Sequence, residues 1–281
     1  MSLKKLSLFS FLLLLGLGIS AQDKRYNHSK FKQLQYELSA PNVYRTASGA
    51  PGHMYWQQQA DYEIAVTLDD ENQSISGEET ITYHNNSPDA LSYLWVQLDQ
   101  NMRAKDSDTY KVRTNSIDDR MSLRSLNGLE PWFDGGFKLD YVRDESNKAL
   151  PYTVVKTMMR IDLPAPLKSG EKTVLKIKWS YNINDRMQIG GRSGYEYFEE
   201  DDNYLYTIAQ FFPRMAVYSD NEGWQNKQFL GSGEFTLPFG NYDVKITVPS
   251  DHKVAATGVL QNPKSVLSKV EQDRFAQAKK E

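Results

Sequence analysis

The sequence contains no cysteine among its 281 residues. A disulfide scaffold, a thiolate zinc site, a thiol nucleophile and a lipidated N-terminal cysteine are therefore excluded. Histidine is scarce too, with four residues, none of them within helical i, i+4 reach of another. The sequence also has no H-E-x-x-H, no G-x-S-x-G and no G-K-[ST]. It therefore shows no motif of a zinc peptidase, of a serine hydrolase or of a phosphate-binding loop.

Long apolar runs are missing after the first 21 residues. Two lysines precede an apolar run from Leu6 to Ile19, and Ser20-Ala21 follows it. This order predicts a signal peptide over residues 1–21, and hence export to the periplasm or the extracellular space. The run is shorter than the roughly 20 apolar residues of a spanning helix. No membrane span is expected.

A large excess of basic charge is also missing. Removal of residues 1–21 takes away two lysines and no acid, so the formal net charge changes from -3 to -5. This balance argues against a nucleic-acid partner. Hydrophobic residues make up 40% of the chain, which is enough to build a core held together by burial alone.

The clearest structural signal is an alternation of apolar and polar residues that begins at Asp61. Tyr62, Ile64 and Val66 alternate with polar or small residues, and the sequence DDEN at positions 69–72 supplies a turn. A returning strand is predicted over Ser74–His84. Its Gly77 predicts a bulge or a close backbone approach.

Several further short strands are predicted, with turn residues between them. Together they indicate an all-β fold, an antiparallel saddle-like β-sandwich with a short helical segment at its C-terminal end. The polar region 102–134 is interpreted as a surface excursion with one short helix around Ile117–Leu126. The further strands are Ala90–Asn101, Lys156–Leu163, Thr173–Ile183, Tyr204–Phe212 and Tyr242–Val248.

Four segments follow from these patterns. Residues 1–21 are the signal peptide, and residues 22–60 are an extended leader. Residues 61–262 are the β domain. Residues 263–281 are a helical segment, which Asn262-Pro263 begins.

Two polar runs resemble ligand sites only weakly. The acidic run Glu199–Asp202 lacks the spaced ligand pattern of a calcium loop, so a solvated turn between two aromatic strands is favoured. The run Gly190–Gly194, GGRSG, opens no helix and is interpreted as a loop. The residues alone leave a β domain whose chemistry is not visible.

Four blocks, in this order, carry a resemblance to a known family. They are the segments 60–101, 163–183, 208–224 and 239–262, which include LPAPLKSGEKTVLKIKWSYNI and IAQFFPRMAVYSDNEGW. Together they resemble the N-terminal β domain of the aminopeptidase N-like zinc metallopeptidases, the gluzincin aminopeptidases. The resemblance implies that the domain packs against a C-terminal catalytic domain, which carries H-E-x-x-H and zinc and hydrolyses peptides. Since those motifs are absent here, the chain is expected to be a fragment that is inert alone.

The same resemblance implies a role for Gln210. In that family a Gln, followed two residues later by Glu or Gln, projects into the active site and holds the free amine of the peptide substrate. The segment Ala209–Pro213 keeps the Gln and the Pro but has Phe212 at the partner position. Because Phe212 cannot attract an ammonium group, strict aminopeptidase specificity is in doubt. The alternative is that Gln210 is a strand-edge amide.

A second function class stays open at this stage. The chain could be a free-standing exported β-sandwich module that binds carbohydrate or protein through aromatic side chains. Tyr195, Tyr197 and Trp224 would then form its surface, although aromatic residues at alternating strand positions more often fill a core.

Overall fold

The structure, a computed structural model, describes residues 41–112, 119–127, 132–233 and 235–280. The predicted signal peptide and the first part of the predicted leader lie outside these residues. The strands are β1 (Gln59–Asp69), β2 (Ser74–His84), β3 (Leu91–Gln97), β4 (Lys138–Asp144), β5 (Tyr152–Val155), β6 (Met158–Leu167), β7 (Lys172–Asn182), β8 (Gly194–Phe198), β9 (Asn203–Thr207), β10 (Arg214–Met215), β11 (Tyr218–Ser219), β12 (Gly223–Trp224) and β13 (Tyr242–Thr247). The helices are a 3-10 helix (Asp99–Arg103), α1 (Leu123–Asn127), α2 (Arg186–Ile189), α3 (Pro263–Val266) and α4 (Lys269–Ala278).

Two sheets form the body of the protein. One has five strands in the order β13-β1-β2-β7-β4, and the other has four in the order β10-β3-β6-β5. The pairs β8-β9 and β11-β12 are separate two-stranded ribbons. These sheets confirm the predicted all-β fold. The predicted antiparallel pairing holds except between β1 and β13, which run parallel.

The first hairpin follows from the alternation of its residues. Tyr62, Ile64 and Val66 are buried on one face of β1, while Glu63, Ala65 and Thr67 are exposed on the other. β2 pairs with β1 along its whole length. Since successive side chains of a strand point to opposite faces, this register places the apolar residues of both strands against the second sheet. The predicted hairpin is confirmed.

Gly77 of β2 lies directly beneath a fully buried tryptophan. A Cβ atom at Gly77 would lie 2.4 Å from Cζ2 of Trp179, which is completely buried on β7. Only glycine leaves room for this ring. Neither the predicted bulge nor the predicted backbone approach occurs at Gly77: its strand pairs without a break, and the group that comes close is a side chain.

Two predicted strands end earlier than their sequences suggested. β3 stops at Gln97, and the chain turns into the 3-10 helix. β9 stops at Thr207, and the residues that follow leave the sheet. Side chains supply the hydrogen-bond partners that strand pairing would otherwise give to the backbone of Ala209 and Gln210, as described below.

The C-terminal segment is helical, as predicted, but in two pieces. α4 begins at a capping box in which Ser268 and Glu271 exchange side-chain and backbone hydrogen bonds. The interruption between α3 and α4 lies at Leu267, whose backbone is extended. Among the described residues, no helix is long and apolar enough to cross a membrane.

Candidate functional site

Gln210 lies in the segment 208–213, called here the Gln210 turn, which joins β9 to β10. Its φ is +52°, the left-handed region that side chains other than glycine rarely adopt. The residue is half-buried, and its side chain makes no hydrogen bond to another described residue. Gln210 belongs to no strand, so the interpretation as a strand-edge amide does not describe it. Its carboxamide has its hydrogen-bonding capacity available for a ligand.

The two residues after Gln210 anchor the turn in the core. The Phe212 ring packs edge-on against Tyr62, with 5.6 Å between ring centroids, and lies 6.2 Å from Tyr242. The Phe211 ring lies 6.4 Å from Trp179. Aromatic pairs at these separations stabilise the packing beyond the burial of their area. Phe212 therefore acts as a structural anchor where the resembling family has an acidic or amide group.

Gln100 of the 3-10 helix contacts the backbone of the Gln210 turn from below. Its Nε2 donates to the carbonyl oxygens of Ala209 at 3.0 Å and of Gln210 at 3.1 Å. Its Oε1 accepts from Nη1 of Arg103 at 3.1 Å. Gln100 is 2% exposed. All three polar positions of a buried carboxamide are thus used, and two of them bind the turn.

The loop Gly190–Gly194 contacts the turn from another direction. The Ser193 hydroxyl donates to the Ala209 carbonyl and accepts from the Ala209 N–H, both at 3.2 Å. Asn184 Nδ2 in turn donates to the Ser193 carbonyl at 3.0 Å. The sequence predicted a loop here, and the loop is present. It supports the Gln210 turn through its serine.

An ion pair ties the two segments together a second time. The guanidinium of Arg214, the first residue of β10, donates to the carboxylate of Asp99, which lies next to Gln100 in the 3-10 helix. Asp99 is 2% exposed. The next residue, Met215, donates its N–H to the Tyr62 hydroxyl at 2.9 Å. Both ends of the turn are therefore held by side chains of other elements.

Glu79 is a buried acid on the inner face of β2. It is 1% exposed, and neither carboxyl oxygen has a hydrogen-bond partner among the described residues. Burial raises the pKa of this carboxyl well above its ordinary value of 4.5. The negative charge of ionised Glu79 contributes to raising the pKa of Tyr62 and of Tyr242. Glu79 is thus a buried carboxyl whose neutral form is favoured by burial, and it lies beneath the aromatic residues that anchor the turn.

Tyr218 and Trp224, neighbours of Gln210 in sequence, belong to the β11-β12 ribbon. Trp224 stacks on Tyr83 at 6.2 Å between centroids, and Tyr218 stacks on Trp56 of the leader at 5.7 Å. These rings fix the described part of the leader to the five-stranded sheet. Arg214, four residues after Gln210, is joined to the turn's supports through Asp99.

The aromatic surface of the alternative function is less exposed than it requires. Tyr195 and Trp224 are partly buried against the core, and Tyr197 is 48% exposed. The acidic run Glu199–Asp202 forms the exposed turn between β8 and β9, as predicted, and Asp202 accepts from the Tyr197 hydroxyl at 2.8 Å. Within the described ranges, no three His, Asp or Glu residues are placed to hold a metal ion.

The supporting residues escaped the sequence interpretation, although one of them left a signal. Glu79 occupies an inward position of an alternating strand, between Gly77 and Ile81, where an acid is unusual. Gln100 and Ser193 left none. Both lie more than 15 residues from Ala209 in the sequence, and only the fold brings them into contact with the turn.

Comparison with known proteins gives a partial structural likeness. No family model matches the sequence, and no curated protein matches it. The chain is structurally similar to an M1 zinc metallopeptidase from Deinococcus radiodurans, solved as a point mutant bound to a Tyr-Ser-Ala substrate: the identity is 15%, the TM-score is 0.38, and the match covers 76% of this chain and 38% of that one. A second structure of an M1 zinc metallopeptidase from that organism gives 14% identity and a TM-score of 0.38, and the match covers 74% of this chain and 36% of that one. The chain thus spans less than two-fifths of the length of these structures.

Proposed function

We propose that this chain is the N-terminal β domain of an exported, aminopeptidase N-like zinc metallopeptidase, and that Gln210 lines its peptide cleft. In this proposal the domain supports a catalytic domain that follows it in the complete gene product. The order of the four sequence blocks, which resembles that family from Asp61 to Asn262, supports it. Alone, the 281 residues would not hydrolyse peptides.

The conformation of Gln210 carries the proposal. A left-handed glutamine costs on the order of 1 kcal/mol or more in backbone strain. Here the strain is maintained by buried side chains from two other segments, while the glutamine's own carboxamide makes no hydrogen bond to a described residue. Strain that the surroundings maintain in this way is typical of ligand-binding positions. A carboxamide oxygen held there would accept a hydrogen bond from the amine of a peptide.

A second observation supports a neighbouring domain. Apolar side chains are exposed along one face of β13 and in the segments before and after it, and large exposed apolar surfaces are typical of protein contact sites. Tyr242, Val244 and Ile246 share the inner face of the five-stranded sheet with Tyr62, Ile64 and Val66. The exposed fractions are 77% for Phe239, 48% for Tyr242, 39% for Val244, 42% for Ile246, 52% for Val254 and 74% for Val259.

Zinc would have to be bound outside this chain. The described residues offer no set of ligands for it, and the sequence has no H-E-x-x-H. The contribution of these residues to the reaction is therefore limited to substrate contact and support. The loss of a charged partner at Phe212 argues for a peptide preference that depends less on a free amino terminus.

Two experiments test the proposal. The coding sequence past Glu281 should encode H-E-x-x-H followed by a more distant Glu, and a natural stop codon would contradict the proposal and favour the non-catalytic binding module. In the complete gene product, Gln210→Ala should lower peptide turnover without lowering the melting temperature. Gln57→Ala, which changes an exposed glutamine of the leader, is the matched control. Unchanged turnover in Gln210→Ala would remove Gln210 from the cleft.

A further inference from the structure

The contacts beneath the Gln210 turn point to one further residue, and the inference rests on the proposed function. We infer that Gln100 is the positioning residue of the site: it holds Gln210 in its left-handed conformation and so aims the Gln210 carboxamide at the peptide. Nothing in the sequence singles out Gln100, which is 110 residues from Gln210 along the chain.

The first step of the argument is the orientation of the Gln100 carboxamide. Its NH2 group faces two carbonyl oxygens, at 3.0 and 3.1 Å, and its oxygen faces the guanidinium of Arg103. The flipped orientation would place oxygen against the two carbonyls and NH2 against a cation. The surroundings therefore permit one orientation only.

The second step concerns what the two donated bonds fix. They join the carbonyls of Ala209 and Gln210, which are the peptide groups on either side of the Gln210 Cα atom. Binding both carbonyls to one rigid group restricts the rotation of the backbone between them. The positive φ of Gln210 lies within this restrained unit.

The third step is the rigidity of Gln100 itself. It sits in the short 3-10 helix, is 2% exposed, and follows Asp99, whose carboxylate pairs with Arg214 at the far end of the turn. Arg103 is 7% exposed and its pKa is lowered by burial, so the group that orients Gln100 is itself held inside the protein. A buried donor on a fixed scaffold is what a substrate-positioning contact requires.

The variant Gln100→Met tests the inference, because methionine fills nearly the same volume and cannot donate. Gln58→Met is the matched control: Gln58 is a buried glutamine, 4% exposed, that bonds Asn85 and the backbone of Asn86 away from the turn. In the complete gene product, Gln100→Met should raise the KM for trialanine by about tenfold, while kcat changes less. A tenfold change corresponds to the loss of roughly one hydrogen bond. Gln58→Met should leave KM unchanged even if it lowers the melting temperature by a similar amount.

A conformational readout keeps the test independent of turnover. The 13C chemical shifts of Gln210 should report a left-handed backbone in the wild type and in Gln58→Met, and should lose that signature in Gln100→Met. If Gln100→Met fails to fold, Gln100→Glu keeps the shape and the contact with Arg103 while losing both donated bonds, and the same result is expected from it. A left-handed Gln210 in a folded Gln100 variant would overturn the inference.

The double variant separates this inference from the proposed function. If Gln100 acts through Gln210, then adding Gln100→Met to Gln210→Ala should raise KM no further. Additive effects would overturn the inference while leaving the proposed function in place. If Gln210→Ala alone leaves both turnover and KM unchanged, the proposed cleft role of Gln210 fails, and the 13C shifts still decide whether Gln100 sets the conformation of the turn.

Discussion

Replacing Glu79 with glutamine should remove a pH dependence from the stability of the fold. Glu79 is fully buried without a hydrogen-bond partner among the described residues, so its folded-state pKa is raised well above the 4.5 of the unfolded chain. Between those two values the native state keeps a proton that the unfolded state releases. Stability is therefore lost as pH rises, by about 1.4 kcal/mol per pH unit.

The groups around Glu79 allow this slope to be isolated. Tyr62 and Tyr242 have pKa values raised chiefly by burial, so both stay neutral below pH 8. The Arg214 guanidinium lowers the pKa of both tyrosines, but burial outweighs it. The wild type should therefore lose stability through Glu79 as pH rises from 5.5 towards the folded-state pKa of this carboxyl.

The assay is urea unfolding of wild type, Glu79→Gln and Glu63→Gln at pH 5.5, 6.5 and 7.5. Glu63 is an exposed acid on the neighbouring strand β1, so its variant should track the wild type at every pH. The stability of Glu79→Gln relative to wild type should rise steadily with pH, since glutamine has no proton to lose. Parallel pH curves for wild type and Glu79→Gln would refute the reasoning and would mean that Glu79 finds a partner or water.

Two further predictions concern the packing and the ion pair. Gly77→Ala should destabilise the fold by about 1–3 kcal/mol, because the new methyl group would overlap the Trp179 ring and force it to move; thermal unfolding measures this, and an unchanged melting temperature would contradict it. Asp99→Asn should cost about 3–5 kcal/mol, because it leaves the Arg214 cation largely buried without the carboxylate it pairs with. Asp106→Asn is its control, since the Asp106 side chain is 77% exposed in its pair with Lys156 and such a pair contributes at most about 1 kcal/mol; equal losses in the two variants would show that burial is not what makes the Asp99 pair important.

The strands were predictable wherever one face alone is buried. Ile64 and Val66 reveal their strand because exposed residues separate them, and that pattern is local. The ends of β3 and β9 were not predictable. The sequence stays largely apolar past the end of β9, and Leu98 continues the apolar pattern of β3 by one residue; contacts among Gln100, Ser193 and the Gln210 turn hold the chain outside both strands.

The candidate site divides in the same way. Gln210 was found through a resemblance carried by its own segment, and its role stays a prediction. Its supports were missed because a buried glutamine or serine has no periodicity that would mark it. Glu79 could have been found by asking which inward position of β2 carries an ionisable group. The failures fall at a strained turn and at a buried acid, where local sequence preference and tertiary structure disagree.

The parallel pairing of β1 with β13 sets a kinetic constraint on how the protein forms. The Asp61 carboxylate accepts from the backbone N–H of Asn241, 180 residues away, and β13 follows from there along the edge of β1. Closing so long a loop is slow, and proteins dominated by distant pairings fold in milliseconds to seconds. During synthesis β1 emerges long before its edge partner exists. Its open edge is therefore exposed to pairing with other chains until that late strand arrives.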